Sequence, residues 1–97
     1  MYVRVTTLHV AEGKLDRVLS AVRNQGIPAL QALPGCRRIE ILVDQESRTI
    51  LYVSTWDRLE QAEGATTAKY RLEALARVEA DLAVPIETAI YELVATG

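Results

Sequence analysis

The sequence predicts an α+β domain in which a four-stranded antiparallel sheet carries helices on one face, over residues 1–97 as one unit. Three observations lead there. Strand-like and helix-like stretches follow one another in the order β-α-β-β-α-β. The run Arg48–Trp56 (RTILYVSTW) is the most strand-like in the chain, and neither of its alternating faces is plainly polar. Finally, 97 residues suffice for one modest core.

Each element has its own warrant. Tyr2–Val10 reads as a first strand, with Val3 and Val5 on one side and Arg4, Thr6 and Leu8 on the other. From about Glu12 to Gln25, Leu15, Val18, Leu19 and Val22 recur at helical spacing, and Gly26 is a natural terminator. Ile27-Pro28 admits a short second helical piece that Pro34-Gly35 stops. Arg37–Asp44 is a second strand with Ile39, Ile41 and Val43 on its apolar side, and Gln45–Ser47 form the hairpin loop. Asp57, with Glu60 three residues on, has the pattern of a capping box. Gly64 interrupts the helix that follows, which resumes from a cap at Thr66 or Thr67 to about Ala83, burying Leu72, Leu75, Val78 and Leu82. Pro85 ends it, and Ile86–Ala95 is the fourth strand. The order is that of the ferredoxin-like split pattern.

Composition narrows the function classes. Hydrophobic residues make up 49% and charged ones 25%, which describes a globular chain rather than a disordered one. A net charge of −2 gives no general nucleic-acid surface. No apolar run approaches the roughly 18 residues of a membrane span, and the opening MYVRVTTLHV lacks the form of a secretory signal, so a cytoplasmic location is expected. The single cysteine, Cys36, excludes an intrachain disulfide, and one histidine, His9, makes no metal site. Neither a metal nor another cofactor is expected.

The faces of the sheet carry the functional argument. The helix-facing set is expected to be Val3, Val5, Ile39, Ile41, Val43, Leu51 and Val53. The open face is expected to hold Arg4, Thr6, Leu8, Arg38, Glu40, Leu42, Tyr52, Ser54 and Trp56, joined by Tyr91 and Leu93 of the fourth strand. So much apolar surface exceeds what a monomer leaves in water. A second copy packed sheet to sheet would cover it by two-fold symmetry and enclose its polar groups in a cavity.

With these elements in place the chain resembles the dimeric α/β barrels of the antibiotic biosynthesis monooxygenase (ABM) type. The resemblance spans essentially the whole chain. It rests on the element order, on Pro34-Gly35-Cys36 leading into the second strand, on STWDRLE from Ser54 to Glu60, and on Tyr91-Glu92 near the end of the fourth strand. It implies a homodimer closed into a barrel and, for some relatives, cofactor-independent oxygenation of aromatic polyketides. Other relatives degrade haem, with an Asn on the first strand, a Trp on the third and a His on the next helix. Here Trp56 matches, Thr6 or Thr7 stands in place of the Asn, and Thr66–Tyr70 contains no His, which disfavours haem chemistry.

An oxygenase of this kind needs a pocket for a flat phenolic or quinol substrate whose anion reacts directly with dioxygen. Trp56, Tyr52 and Tyr91 are the candidate aromatic surfaces, and Thr6 and Ser54 lie among them. Arg4 or Arg38 would hold a phenolate, and Glu40 with Arg38 is the candidate catalytic pair, Glu40 as general base. The competing reading is a plain ion pair of Glu40 with Arg38 or Arg4, and Trp56 as an interface anchor. Lys69 and Arg71 are expected in solvent, and Tyr70 over the cavity mouth. Two functions therefore stand side by side: an aromatic monooxygenase, or a non-catalytic dimeric module that binds a small molecule or regulates.

Overall fold

The computed structural model describes residues 1–97 apart from the side chain of Tyr70, so the expectation for that side chain lies outside the described residues. Strands β1 (Tyr2–His9), β2 (Cys36–Asp44), β3 (Thr49–Trp56) and β4 (Glu87–Glu92) form one antiparallel sheet in the order β2-β3-β1-β4. Helices α1 (Leu15–Ala21), α2 (Ile27–Gln31), α3 (Leu59–Gly64) and α4 (Lys69–Ala76) occupy the two crossovers. The topology is ferredoxin-like. The expected closure into an α/β barrel is corrected: β2 and β4 are edge strands that do not meet, and the sheet is an open layer. About eight strands are needed to wrap round a filled interior, and four twist without closing.

A second correction concerns which face the helices cover. On β2 the side chains of Ile39, Ile41 and Val43 share a face, and the register pairs them with Ser54, Tyr52 and Ile50 of β3. Those three in turn stand opposite Arg4, Thr6 and Leu8 of β1. Arg4, Thr6, Leu8, Ile50, Tyr52, Ser54 and Trp56 are all buried, whereas Val3, Val5, Leu51 and Val53 are only half-buried. The expected faces of β1 and β3 are thus exchanged. One residue of loop explains it. Asp44 pairs with Thr49, so the hairpin loop runs from 45 to 48, with Arg48 at φ 54° as its left-handed last member. A three-residue loop would have set Ile41 opposite Leu51. The extra residue moves every β3 side chain to the other face, and β1 follows β3. The loop is braced by Asp44, whose carboxylate accepts from the Glu46 amide at 3.2 Å and the Ser47 hydroxyl at 2.8 Å.

The helices are more broken than their spacing suggests. Gly26 does not end the first one: it keeps a right-handed φ of −64°, and a π-helical turn over 22–26 joins α1 to α2. Pro28 has no N–H to offer the carbonyl four residues back, and the wider turn precedes it. Asp57 is not the cap of α3. Arg58 is, its amide donating to Gln61 Oε1 at 3.1 Å, while Asp57 pairs with Arg37 at 2.7 Å. Arg37 is the extra residue of a β-bulge between Cys36 and Arg38. After Gly64 a 3-10 turn over 65–67 leads to an extended Ala68, which precedes α4, and a second such turn covers 79–81. Leu72, expected inside, is 45% exposed. The inward face of α4 instead holds Arg71, Leu75 and, one turn beyond, Val78. Among the described residues no helix is long and apolar enough to cross a membrane.

The core lies between sheet and helices, around Val18, Val22, Leu30, Ile50, Trp56, Ala62 and Val78. Gly35 controls how β2 enters it. Its φ is +84°, and a Cβ there would overlap the Gln61 side chain that caps α3. Gly35→Ala should therefore lower unfolding free energy by roughly 2 kcal/mol, combining left-handed strain with a disturbed cap. Urea denaturation should show a lower midpoint at unchanged slope.

Candidate functional site

The covered face of the sheet is polar at its centre. Arg4, on central strand β1, has no exposure to water. Its Nη1 donates to Thr6 Oγ1 at 3.1 Å and its Nη2 to Thr66 Oγ1 at 3.4 Å, while Nε has no partner among the described residues. Thr6 Oγ1 lies 3.3 Å from Thr88 Oγ1 of β4. Next to Arg4 on the same face, Trp56 Nε1 donates to Ser54 Oγ at 2.8 Å, both groups buried. Arg71 comes down from α4, 7% exposed, and donates through Nη1 to the Thr66 carbonyl at 3.1 Å. The Tyr52 hydroxyl donates to the Gly26 carbonyl in the π-helical turn.

Two guanidinium groups are thus held beneath the helices, and among the described residues their partners are hydroxyl and carbonyl oxygens. The ion pairs among the described residues lie elsewhere: Arg17–Asp81, Arg37–Asp57 and Arg38–Glu40. Burial, and then the charge of Arg71, lower the Arg4 pKa to about 10, so Arg4 remains a cation at neutral pH. Burial lowers that of Arg71 as well. Burial likewise pushes the Tyr52 phenol well above its ordinary range, and it stays a neutral donor.

Between these groups and the helices lies a cavity of about 40 Å³. Thr6, Tyr52 and Arg71 form its polar lining, and Leu8, Ala21, Val22, Gly26, Ala74, Leu75 and Val78 the apolar remainder. That is room for a few waters, against the several hundred Å³ of a ligand-filled pocket.

The structure gathers five of the residues singled out from the sequence, Arg4, Thr6, Tyr52, Ser54 and Trp56, though under the helices rather than on the open face. Arg38 and Glu40 are on the opposite side of the sheet, joined at 3.1 Å with side chains 70% and 44% exposed. Tyr91 also faces outward, 59% exposed. Sequence reasoning missed Arg71 and placed it in solvent. Its spacing of four to Leu75 and seven to Val78 was the available signal, since those positions share one helix face. Thr66 and Thr88 join the site only through tertiary contact and left no such mark. His9 sits at the outer end of β1 with Nδ1 3.4 Å from Thr49 Oγ1. The Cys36 thiol is raised by burial, which keeps it protonated. Among the described residues no three His, Cys, Asp or Glu side chains come together.

A family model described as antibiotic biosynthesis monooxygenase matches residues 1–77. Two uncharacterized proteins of Mycobacterium tuberculosis are 35% and 33% identical to this chain over 60 residues, 62% of its length. Those matches cover 25% and 27% of the relatives, so the chain spans about a quarter of the curated proteins it resembles. Among solved structures, one from Nitrosomonas europaea superposes with a TM-score of 0.83 at 20% identity, over 98% of this chain and 100% of the other. One from Deinococcus radiodurans gives 0.82 at 14% identity, over 99% and 95%. Both are named as candidate antibiotic biosynthesis monooxygenases, and at these identities the likeness is one of fold.

The buried phenol offers a test of this geometry. The folded Tyr52 pKa lies above its unfolded value, so its contribution to stability is complete below about pH 10 and is lost as pH rises further. Arg4, with a lowered folded pKa, acts in the opposite sense over the same alkaline range. Titration of tyrosinate absorbance should show one phase delayed beyond the ordinary range, and Tyr52→Phe should remove that phase alone.

Proposed function

Because the chain belongs to the antibiotic biosynthesis monooxygenase family, we propose that the cavity between sheet and helices binds an aromatic phenol or quinol and supports its oxidation by dioxygen without a cofactor. The observation that carries this reading is a buried cation, Arg71, beside a neutral Tyr52 hydroxyl in the wall of an otherwise apolar cavity, with a second buried cation, Arg4, behind that wall. A phenol placed there loses its proton more readily, because nearby positive charge in a water-poor site favours the anion. The electron-rich anion then transfers electrons to dioxygen and takes up oxygen at an activated ring carbon. For an anthrone the balance is one substrate and one O₂ giving one quinone and one water: two C–H bonds break, a C=O forms, and the second oxygen leaves as water. The chain binds, orients and excludes solvent. Arg38 and Glu40, on the far side of the sheet, have no part in this reading.

An aromatic ring needs more space than about 40 Å³, so the helical cover must move outward as the substrate enters. The segment that has to move is α4, eight residues long and bounded on one side by the extended Ala68.

A separate observation favours self-association. The open face carries half-buried Val3, Val5, Leu51 and Val53 beside Leu42 and Tyr91, which are 50% and 59% exposed. A second copy of the chain, presenting the same patch by two-fold symmetry, would cover it.

Two measurements test these readings. Oxygen uptake should be seen with at least one member of a panel of anthrones, quinols and flavonols. Ala74→Phe, which fills the cavity from α4, should abolish it while circular dichroism stays unchanged; uptake that survives this change would move the reaction elsewhere. For the open face, Leu42→Glu should convert dimer to monomer in sedimentation, since it places a charge in a desolvated contact. An unchanged dimer would mean that another surface joins the copies.

A further inference from the structure

We propose that the ligand of this cavity carries a carboxylate of its own, gripped by Arg71 and Thr6 with Arg4 behind them, in addition to the ring that reacts. The inference deepens the function proposed above and rests on it for the position of the site.

Charge balance calls for a second anion. Arg4 and Arg71 together bring two positive charges under the helices, and among the described residues no carboxylate bears on either. Their partners, the Thr6 and Thr66 hydroxyls and the Thr66 carbonyl, are neutral. Like charges held near one another in a dry site each raise the cost of the other, and a buried cation without an anion is unfavourable. A single phenolate cancels one of the two charges. A hydroxyaryl carboxylate, once its phenol ionises in the site, cancels both.

Geometry selects the carboxylate over a compact anion. A guanidinium presents paired N–H groups that match the two oxygens of a planar carboxylate. Behind the cavity wall, the Arg4 Nε–H has no partner among the described residues, and Nη2 on the same edge makes the long 3.4 Å contact to Thr66. Arg71 lines the cavity directly and, among the described residues, makes one hydrogen bond, through Nη1. The remaining wall, Leu8, Val22, Leu75 and Val78, accepts an apolar body. A phosphate would satisfy the charge but leave this wall uncovered.

The experiment is direct binding by calorimetry to the full chain, with 4-hydroxybenzoate and 1-naphthoate as carboxylates and the matching amides as neutral isosteres. Inorganic phosphate serves as the compact anion. The carboxylates should bind about tenfold more tightly than the amides, the preference expected from charge-assisted hydrogen bonds. Arg71→Met should erase that preference, and Arg71→Lys should restore part of it. Equal binding of acid and amide, undiminished preference in Arg71→Met, tighter binding of phosphate, or no binding of any carboxylate would each overturn the proposal. Failure here is separable from failure of the oxygenase reading. Neutral quinols oxidised while carboxylates do not bind would sink the carboxylate alone. Carboxylates bound by a protein that consumes no oxygen with any compound would sink the oxygenase and leave this inference standing.

Discussion

The rest of this fold answers to a guanidinium sealed from water at the middle of a sheet. Arg4 sits on β1 between β3 and β4, with helices above it. Desolvating such a group costs several kcal/mol, and the hydroxyls of Thr6 and Thr66 return only part of that. The offset comes from the apolar core around it, where Val18, Leu30, Ile50 and Trp56 are fully enclosed, and from the arginine stem, whose methylenes pack as hydrocarbon. The charge is thus a net cost to the fold, and that cost is the feature on which the proposed ligand site rests.

That choice is also what obscured the site in the sequence. The element order, the strands and the inward face of β2 follow from alternation and turn residues: Ile39, Ile41 and Val43 leave little room for another assignment. β1 is different. Given Val3 and Val5 against Arg4 and Thr6, hydrophobic patterning buries the valines, and the chain buries the arginine. Departures from local patterning are where functional sites are sought, and this departure falls on the candidate site. The hairpin compounded the inversion. Whether Arg48 begins the strand or ends the loop is a one-residue question that composition does not decide, yet the parity of β3 hangs on it. The helices were legible in place but not in rotation: Leu72 turns outward, and Arg71 takes the inward position that patterning reserves for an apolar residue.

The two faces of the sheet therefore depart from the usual antiparallel plan of apolar inside and polar outside. Centrally, the covered face carries Arg4, Thr6, Ser54 and Tyr52, while the open one carries Val3, Val5, Leu51 and Val53. On the open face the Arg38–Glu40 pair, two residues apart along one strand and well exposed, is the kind of contact that adds little to stability. It neutralises charge beside the apolar surface of the open face.

The cover over the site completes the physical picture. A helix of eight residues is too short to stand on its own propensity, since isolated helices below roughly 12–15 residues are marginal in water. It has no side-chain cap at its start, where Ala68 is extended at ψ 131°. What holds α4 down is its inward face, Leu75 and Arg71, and the bond from Arg71 back across the Ala68 break to the Thr66 carbonyl. Arg71 is thus both the anchor of the cover and a wall of the cavity, so the ring proposed to enter there would have to lift the same helix that this contact holds down.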